Sequence, residues 1–223
     1  MSFNLSQREG AGFKPAKILF PCGNDYFNTD ILGRTTTRGT AVDEMPHWKQ
    51  SFLHGRRLLV EAIDHLRTLA PVHVVIVNGN HDTQRAFYLG EVLAAHFSRT
   101  AGVVVDNSPP QRKYVHYGAN LLAFSHGNHE RHASLPLLMA TEFPQAWAAT
   151  RHREWHLGHW HSKRHKLFLP CEDQQGVLVR IVPSLCPADA WHASMGYRGK
   201  LAAEAYFWDE NEGCVATFTH SPA

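Results

Sequence analysis

The sequence lacks the features that mark secreted, membrane-spanning and zinc-knuckle proteins. No N-terminal apolar segment resembles a signal peptide, and no apolar run is long enough to cross a membrane. The four cysteines are widely spaced and form no C-x-x-C pair, which favours free thiols over a zinc or redox motif. Lys and Arg total 22 against 20 for Asp and Glu, so the overall charge does not indicate a polyanionic partner. We therefore expect a cytoplasmic protein without membrane association, in which any nucleic-acid binding depends on local charge.

Histidine, in contrast, is abundant. The chain has 17 histidines, more than packing requires, and they do not form the consecutive run of a purification tag. Imidazole is the commonest metal ligand in proteins and a frequent general acid. A chain of 223 residues can form one large α/β domain without disulfides. We assign residues 1–16 to a loose N-terminal tail and residues 17–223 to one domain.

Apolar patterning predicts strands that alternate with helices. A strand at 17–22, a helix at about 47–69 and a buried strand at 72–77 together form a βαβ unit. A second helix is predicted at 83–97 and a strand at 102–105. The rest of the chain is predicted to contain the strand NLLAFS, a helix at 135–150 and a further strand in EWHLGHWH. The segments GVLVRIVPS, AEAYFWD and CVATFTH alternate as antiparallel strands do.

Four of the predicted strands end in side chains that bind metal ions. These are Asp25, then Asn80 with His81, then His126, then His159 with His161. Ligands of α/β sheets collect outside the carboxyl ends of the strands, and a mixed Asp, Asn and His set suits Mn, Fe or Zn. The rings of a His-x-His pair on an extended segment share one face and can reach two metal ions. Taken singly, the Asn80 segment could be a plain turn and His159 with His161 an edge-strand pair, but the recurrence favours a metal site.

Three of these segments carry a family resemblance. GNHD at 79–82, SHG at 125–127 and GHWH at 158–161 resemble the calcineurin-like metallophosphoesterase superfamily, in an order and spacing that cover residues 23–184. The segments LPLLMATEFPQAWAATRHREWHLGHWH and VPSLCPADAWH are similar to phage-encoded members related to DNA repair exonucleases. The resemblance implies a four-layer α/β/β/α sandwich with a two-metal centre at the strand ends.

The resemblance also implies roles for individual residues. Asp25 would bridge the two metal ions, one of which would be completed by Asn80, His126 and His159, and the other ion would be bound by His161. His81 would be the general acid that protonates the leaving-group oxygen, with Asp82 orienting its ring.

The block at Gly23-Asn24-Asp25 departs from the Gly-Asp that the family usually has there. We choose Asp25 as the ligand because the aromatic continuation Tyr26-Phe27-Asn28 resembles nuclease members. The alternative of a one-residue shift stays open at this point.

The second metal of the family is normally held by an Asp-x-His pair upstream of this block. Residues 1–24 contain neither Asp nor His, and the segment before Lys17 is too short for a strand and a crossover helix, which takes at least about 10–12 residues. We therefore expect an N-terminally shortened chain that lacks the first strand of the fold. The expected cofactor is Mn²⁺, with Mg, Fe and Zn as alternatives; up to two ions would bind, and the second site would be incomplete. The alternative is that Asp30 or Asp43 replaces the missing ligand.

Basic residues near the strand ends favour a nucleic-acid substrate. A groove that follows a phosphate backbone would be lined by Arg34, Arg38, Lys163 and Arg164, together with Arg151, His152 and Arg153. A solvated charged face is the alternative interpretation. We expect a metal-dependent phosphodiesterase, a DNA nuclease, impaired by the missing motif unless another copy or a partner chain supplies it. The alternatives are a small-molecule phosphomonoesterase and a non-catalytic binding module that retains the fold.

Overall fold

The computed structural model describes residues 14–30, 47–159, 171–186 and 201–222. The elements up to residue 125 are β1 (Ile18–Gly23), α1 (Trp48–Leu66), β2 (Val72–Val77), α2 (Thr83–Phe97), β3 (Val103–Asp106), β4 (Lys113–Tyr117) and β5 (Asn120–Ser125). Those that follow are α3 (Leu135–Glu142), α4 (Pro144–Ala149), β6 (His152–Leu157), β7 (Cys171–Gln174), β8 (Val177–Ile181), β9 (Ala203–Asp209) and β10 (Gly213–His220). The α/β class predicted from the sequence is confirmed.

The first sheet is parallel and has the strand order β1-β2-β3. Its central strand β2 is a run of β-branched residues because both of its faces are covered. Val74 and Ile76 pack with Ile63 of α1 and Leu93 of α2 in one apolar cluster. Successive side chains of a strand alternate between faces, so the neighbouring valines of β2 point away from these helices.

The second sheet has the order β4-β5-β6-β8-β7, with β5, β6 and β8 parallel and the two edge strands antiparallel. Ala123 and Trp155 pack with Leu135 and Met139 of α3 in a second apolar cluster.

A third apolar cluster joins the two sheets. It contains Val75 and Val77 of β2 together with Leu122 and Phe124 of β5. The two sheets therefore pack against each other, and the carboxyl ends of β1, β2, β5 and β6 lie where a common site can form.

The β9–β10 hairpin is fastened to the second sheet by a buried side chain. The amide nitrogen of Asn120 donates to the carbonyl oxygens of Tyr117, Asp209 and Glu210 at 2.9, 2.8 and 3.2 Å. Trp208 of the hairpin packs against the cluster between the sheets.

Several predicted elements differ from the observed ones. The helix predicted at 135–150 is two helices, because Pro144 has no N–H to donate and holds Phe143 out of helical conformation. Strand β8 was expected to be antiparallel to its neighbours. It is antiparallel to β7, but the expectation is wrong for β6, with which it pairs in parallel. Its alternation reflects unequal burial of its two faces rather than strand direction. Strands β4 and β7 were not predicted.

Only residues 14–16 of the tail predicted at 1–16 belong to the described part of the chain. Within that part, no helix is both long and apolar enough to span a lipid bilayer.

Candidate metal centre

The structure brings together four of the predicted ligands at the carboxyl ends of β1, β2, β5 and β6. The Nε2 atom of His126 lies 3.0 Å from Oδ2 of Asp25, 2.7 Å from Oδ1 of Asn80 and 3.0 Å from Nδ1 of His159. Among the described residues, Asp25, His126 and His159 are the group of His, Cys, Asp and Glu side chains whose geometry suits a metal ion. Each ligand follows a different strand, so only the packing of the two sheets makes them neighbours.

The tautomer of His126 is set by a residue that the sequence analysis did not single out. The Nδ1 atom of His126 lies 2.5 Å from Oδ1 of Asn24. An amide oxygen can only accept, so Nδ1 carries the proton and a neutral ring presents its Nε2 lone pair to the other ligands. Neither the carboxylate of Asp25 nor the amide oxygen of Asn80 can donate to that lone pair. A cation among these atoms would remove their mutual repulsion.

Asp25 provides a second sign of a cation site. Its Oδ2 atom is buried and makes no hydrogen bond within the described part of the chain, although it lies 3.0 Å from His126. The contact is close, but it lacks the geometry of a hydrogen bond. A buried carboxylate oxygen without a donor is costly, and a metal ion would satisfy it.

The carboxylate of Asp25 is held in its ionised form. Burial alone would raise its pKa, but the close imidazole of His126 and the backbone N–H of His81 outweigh burial and lower the pKa. That N–H donates to Oδ1 of Asp25 at 2.8 Å. An ionised carboxylate is the form that binds a divalent cation.

The backbone around Asp25 is shaped by its glycine neighbours. Asn24 and Asp25 both adopt positive φ, at 63° and 67°, and so does His159 at 50°, a conformation uncommon for residues other than glycine. A Cβ atom on Gly79 would lie 1.9 Å from Oδ1 of Asp25, and one on Gly158 would lie 2.2 Å from Nδ2 of Asn24. The glycines of the GNHD and GHWH segments therefore make room for the two side chains of the Asn24-Asp25 pair.

The one-residue shift left open by the sequence is decided by this geometry. Asp25 faces Asn80, His126 and His159, whereas Asn24 contacts the opposite ring nitrogen of His126. Both residues thus belong to the site, with different contacts.

The expected role of Asp82 in orienting the ring of His81 is wrong. The Nδ1 atom of His81 instead lies 3.1 Å from the carbonyl oxygen of Asn28. The buried carboxylate of Asp82 accepts from the backbone N–H of Gly79 and of Phe27, both at 3.0 Å. Burial and the charge of Asp25 raise the pKa of Asp82 to about 7 against these two hydrogen bonds. Asp82 therefore ties the loop after β1 to the loop after β2.

Asp30 also has a structural role, as the N-terminal cap of α2. Because the carboxylate of Asp82 is engaged elsewhere, the N terminus of α2 is capped by Asp30, which accepts from the backbone N–H groups of Gln84 at 2.8 Å and Arg85 at 2.9 Å. Both oxygens of Asp30 are used in this way, which argues against Asp30 as a replacement metal ligand.

Replacing Asp82 with asparagine is expected to destabilise the fold by about 1–3 kcal/mol, the cost of a buried polar group that loses its partner. Asparagine has one acceptor oxygen, so either Gly79 or Phe27 would lose its acceptor. Urea unfolding measures the loss, with Asp64→Asn as a control because Asp64 forms an exposed pair with Arg67 of the same helical segment. Equal stability of the two variants would contradict the role of Asp82.

The expected basic groove is supported by none of the described residues. Arg151 and His152 contact the carbonyl oxygen of Asn211, and Arg153 lies over the ring of Trp147. These residues are at the start of β6, about 17 Å from its carboxyl end at a rise of about 3.3 Å per residue. The expectation that Arg151, His152 and Arg153 flank the metal ligands is therefore wrong. The other predicted residues, His161, Arg34, Arg38, Lys163, Arg164 and Asp43, lie outside the described residues.

The donor set of one carboxylate, one amide and two imidazoles suits Mn, Fe or Zn, and the orphaned oxygen of Asp25 fits such an ion. Comparisons of this chain with protein-family models, curated proteins and solved structures find no match. The ligand set therefore rests on the geometry of this structure.

Proposed function

We propose that this chain is a metal-dependent phosphoesterase that hydrolyses phosphodiester bonds, with DNA as its substrate. The observation that carries the proposal is the meeting of Asp25, Asn80 and His159 at the Nε2 atom of His126. These are the ligands that the resemblance to the metallophosphoesterases implies for one metal ion. The choice of DNA rests on the similarity of the sequence to phage-encoded exonuclease relatives.

The proposal includes the four-layer α/β/β/α sandwich of that superfamily. The sandwich is supported by the positions of the three apolar clusters, which alternate with the layers of helices and sheets. One lies between the helix pair α1 and α2 and the first sheet, one lies between the sheets, and one lies between the second sheet and α3 with α4.

Asp25, Asn80, His126 and His159 would hold the ion, and Asn24 keeps the lone pair of His126 directed at it. A bound divalent cation would lower the pKa of a water molecule and neutralise charge on the phosphate. His81 supplies the proton for the leaving-group oxygen. Its Nδ1–H donates to the carbonyl oxygen of Asn28, which fixes the ring and leaves Nε2 as the nitrogen available to the substrate.

The proposed site binds up to two divalent metal ions, and Mn²⁺ is the metal that we propose. The described ligands are enough for one ion, while the second would rely on Asp25 together with His161. We therefore propose that the second ion binds more weakly, unless a second copy or a partner chain contributes ligands.

We expect the purified chain in Mn²⁺ to hydrolyse bis(4-nitrophenyl) phosphate faster than 4-nitrophenyl phosphate, and to lose both activities in chelator. A phosphodiester carries one negative charge and a phosphomonoester dianion carries two, so the diester is the better match to a site with one strong cation. Release of nucleotides from linear DNA would extend the result to the proposed substrate.

Two outcomes would contradict the proposal. Hydrolysis of the monoester alone would indicate a small-molecule phosphomonoesterase. Binding of Mn²⁺ without hydrolysis of any ester would indicate a binding module that retains the fold.

A further inference from the structure

A polar pocket of about 60 Å³ lies beside the metal centre. Its lining includes Asn78, Asn80 and Thr83 from the end of β2 and the start of α2, and His126 and Glu130 from the segment after β5. The pocket therefore has room for a small polar group of the substrate.

Two buried oxygens of the pocket residues lack a donor. Neither Oε2 of Glu130 nor Oδ1 of Asn78 makes a hydrogen bond to any residue that the structure describes. The side chain of Glu130 is only 5% exposed. A buried acceptor without a partner is destabilising, and more so when it is charged, so a ligand that donates to these oxygens would remove a penalty.

The other oxygen of Glu130 is held in place by an arginine. Nη1 of Arg112 donates to Oε1 of Glu130 at 3.3 Å. The same guanidinium makes shorter contacts with Glu142, with Nε at 2.9 Å from both of its oxygens and Nη2 at 2.6 Å from Oε1. Arg112 thus fixes Glu130 through Oε1, and Oε2 is the oxygen without a partner among the described residues.

The chemistry of the two oxygens selects among ligands. A phosphate group is itself an acceptor and carries negative charge, so Glu130 would repel it. A second metal ion is disfavoured because, among the described residues, the cluster suited to a metal comprises Asp25, His126 and His159 and does not include Glu130. An uncharged donor suits them: a hydroxyl group can donate to one of the two oxygens and an amino group to both.

We propose that this pocket binds a hydroxyl or amino group of the substrate, with Oε2 of Glu130 as its acceptor and Oδ1 of Asn78 as the acceptor of a second N–H. The inference rests on the proposed phosphodiesterase function, because it concerns substrate selection at the same site. The donor group is either a sugar hydroxyl or the exocyclic amino group of a base.

Three 4-nitrophenyl esters of nucleoside 5′-phosphates distinguish the two sources. The thymidine ester carries a 3′-hydroxyl, the 3′-deoxythymidine ester lacks it, and the 2′,3′-dideoxycytidine ester carries only the amino group. The expected result is that kcat/KM is about 10–100-fold higher for a donor-bearing ester than for the 3′-deoxythymidine ester, the value of a hydrogen bond to a charged group. Which ester is preferred identifies the source.

Glu130→Gln should abolish this preference. The amide oxygen of the new side chain takes the place of Oε1 because it can accept from Arg112. The NH₂ group of the glutamine then takes the place of Oε2, and since it is a donor it cannot accept from the substrate. The ratio of kcat/KM between two esters is measured within one variant, so it does not depend on the fraction of protein that is folded.

Glu142→Gln is the matched control. It removes the other carboxylate that contacts Arg112, but Glu142 does not line the pocket, so the substrate preference should persist. A preference that survives in Glu130→Gln, or is lost in Glu142→Gln as well, overturns the inference. So does a wild-type protein that hydrolyses the three esters equally, a result that leaves the phosphodiesterase proposal standing. Failure of the wild type to hydrolyse these esters and bis(4-nitrophenyl) phosphate overturns both.

Discussion

Replacing Asp25 with alanine is expected to lower the affinity of the chain for Mn²⁺ by at least about 100-fold. Changes to groups that only orient metal ligands cost about 10–100-fold in affinity, and Asp25 is itself a ligand in the proposed site. It is also the carboxylate of the cluster formed with His126 and His159, so the variant loses the negative charge that attracts a divalent cation. Isothermal titration calorimetry with Mn²⁺ measures the change.

Asp30→Asn serves as the control because it changes a carboxylate in the same loop. Asparagine can still cap α2 through its amide oxygen, and Asp30 contacts the backbone of Gln84 and Arg85 rather than the ligands. Its affinity for Mn²⁺ should match the wild type. Unaltered binding by Asp25→Ala would show that the buried cluster is not the metal site.

Replacing His81 with alanine is expected to reduce turnover by about 10²–10⁴-fold, the usual contribution of a positioned proton donor. Affinity for Mn²⁺ should not change. His81 supports Asp25 through its backbone N–H, which alanine retains, while its ring contacts the carbonyl oxygen of Asn28. Steady-state kinetics and metal calorimetry on the same preparation separate the two effects.

The size of the loss should depend on the leaving group. A sugar alkoxide needs a proton more than 4-nitrophenolate does, so the effect should be larger on DNA than on bis(4-nitrophenyl) phosphate. His116→Ala is a suitable control, since that ring is exposed and contacts the carbonyl oxygen of Gly118 in its own turn. Equal loss on both substrates, or loss of metal binding together with turnover, would remove His81 from the role of general acid.

The elements and ligand types of the site could be predicted from local sequence. The buried run of β2 and the periodicity of α2 are local signals, and the observed bounds Val72–Val77 and Thr83–Phe97 agree with the predicted ones. Asn80 and His126 were identified because candidate ligands recur at the ends of several predicted strands, although each segment taken singly could be a plain turn. These signals are local because a strand end and its next few residues are fixed by chain continuity.

The contacts that complete the site could not be predicted, because they join residues far apart in the chain. Asn24 and His126 are 102 positions apart, and Asp82 reaches back 55 positions to Phe27. The sequence suggested a ring-orienting role for Asp82 because it follows His81, but the direction of each side chain is set by the loop that packs against it.

The tertiary structure also decided which charges are near the site. Arg153 is only six positions before His159, yet the length of β6 separates them, because an extended strand turns small sequence distance into large spatial distance. Glu130, in contrast, shares a pocket with Asn78 from the other sheet. The sequence by itself determined the α/β class, the strand ends and the types of ligand they offer. Only the packing of the two sheets decided which of those side chains meet. Contact between residues on different sheets depends on how the apolar faces fit together, and no local pattern in the sequence reports that fit.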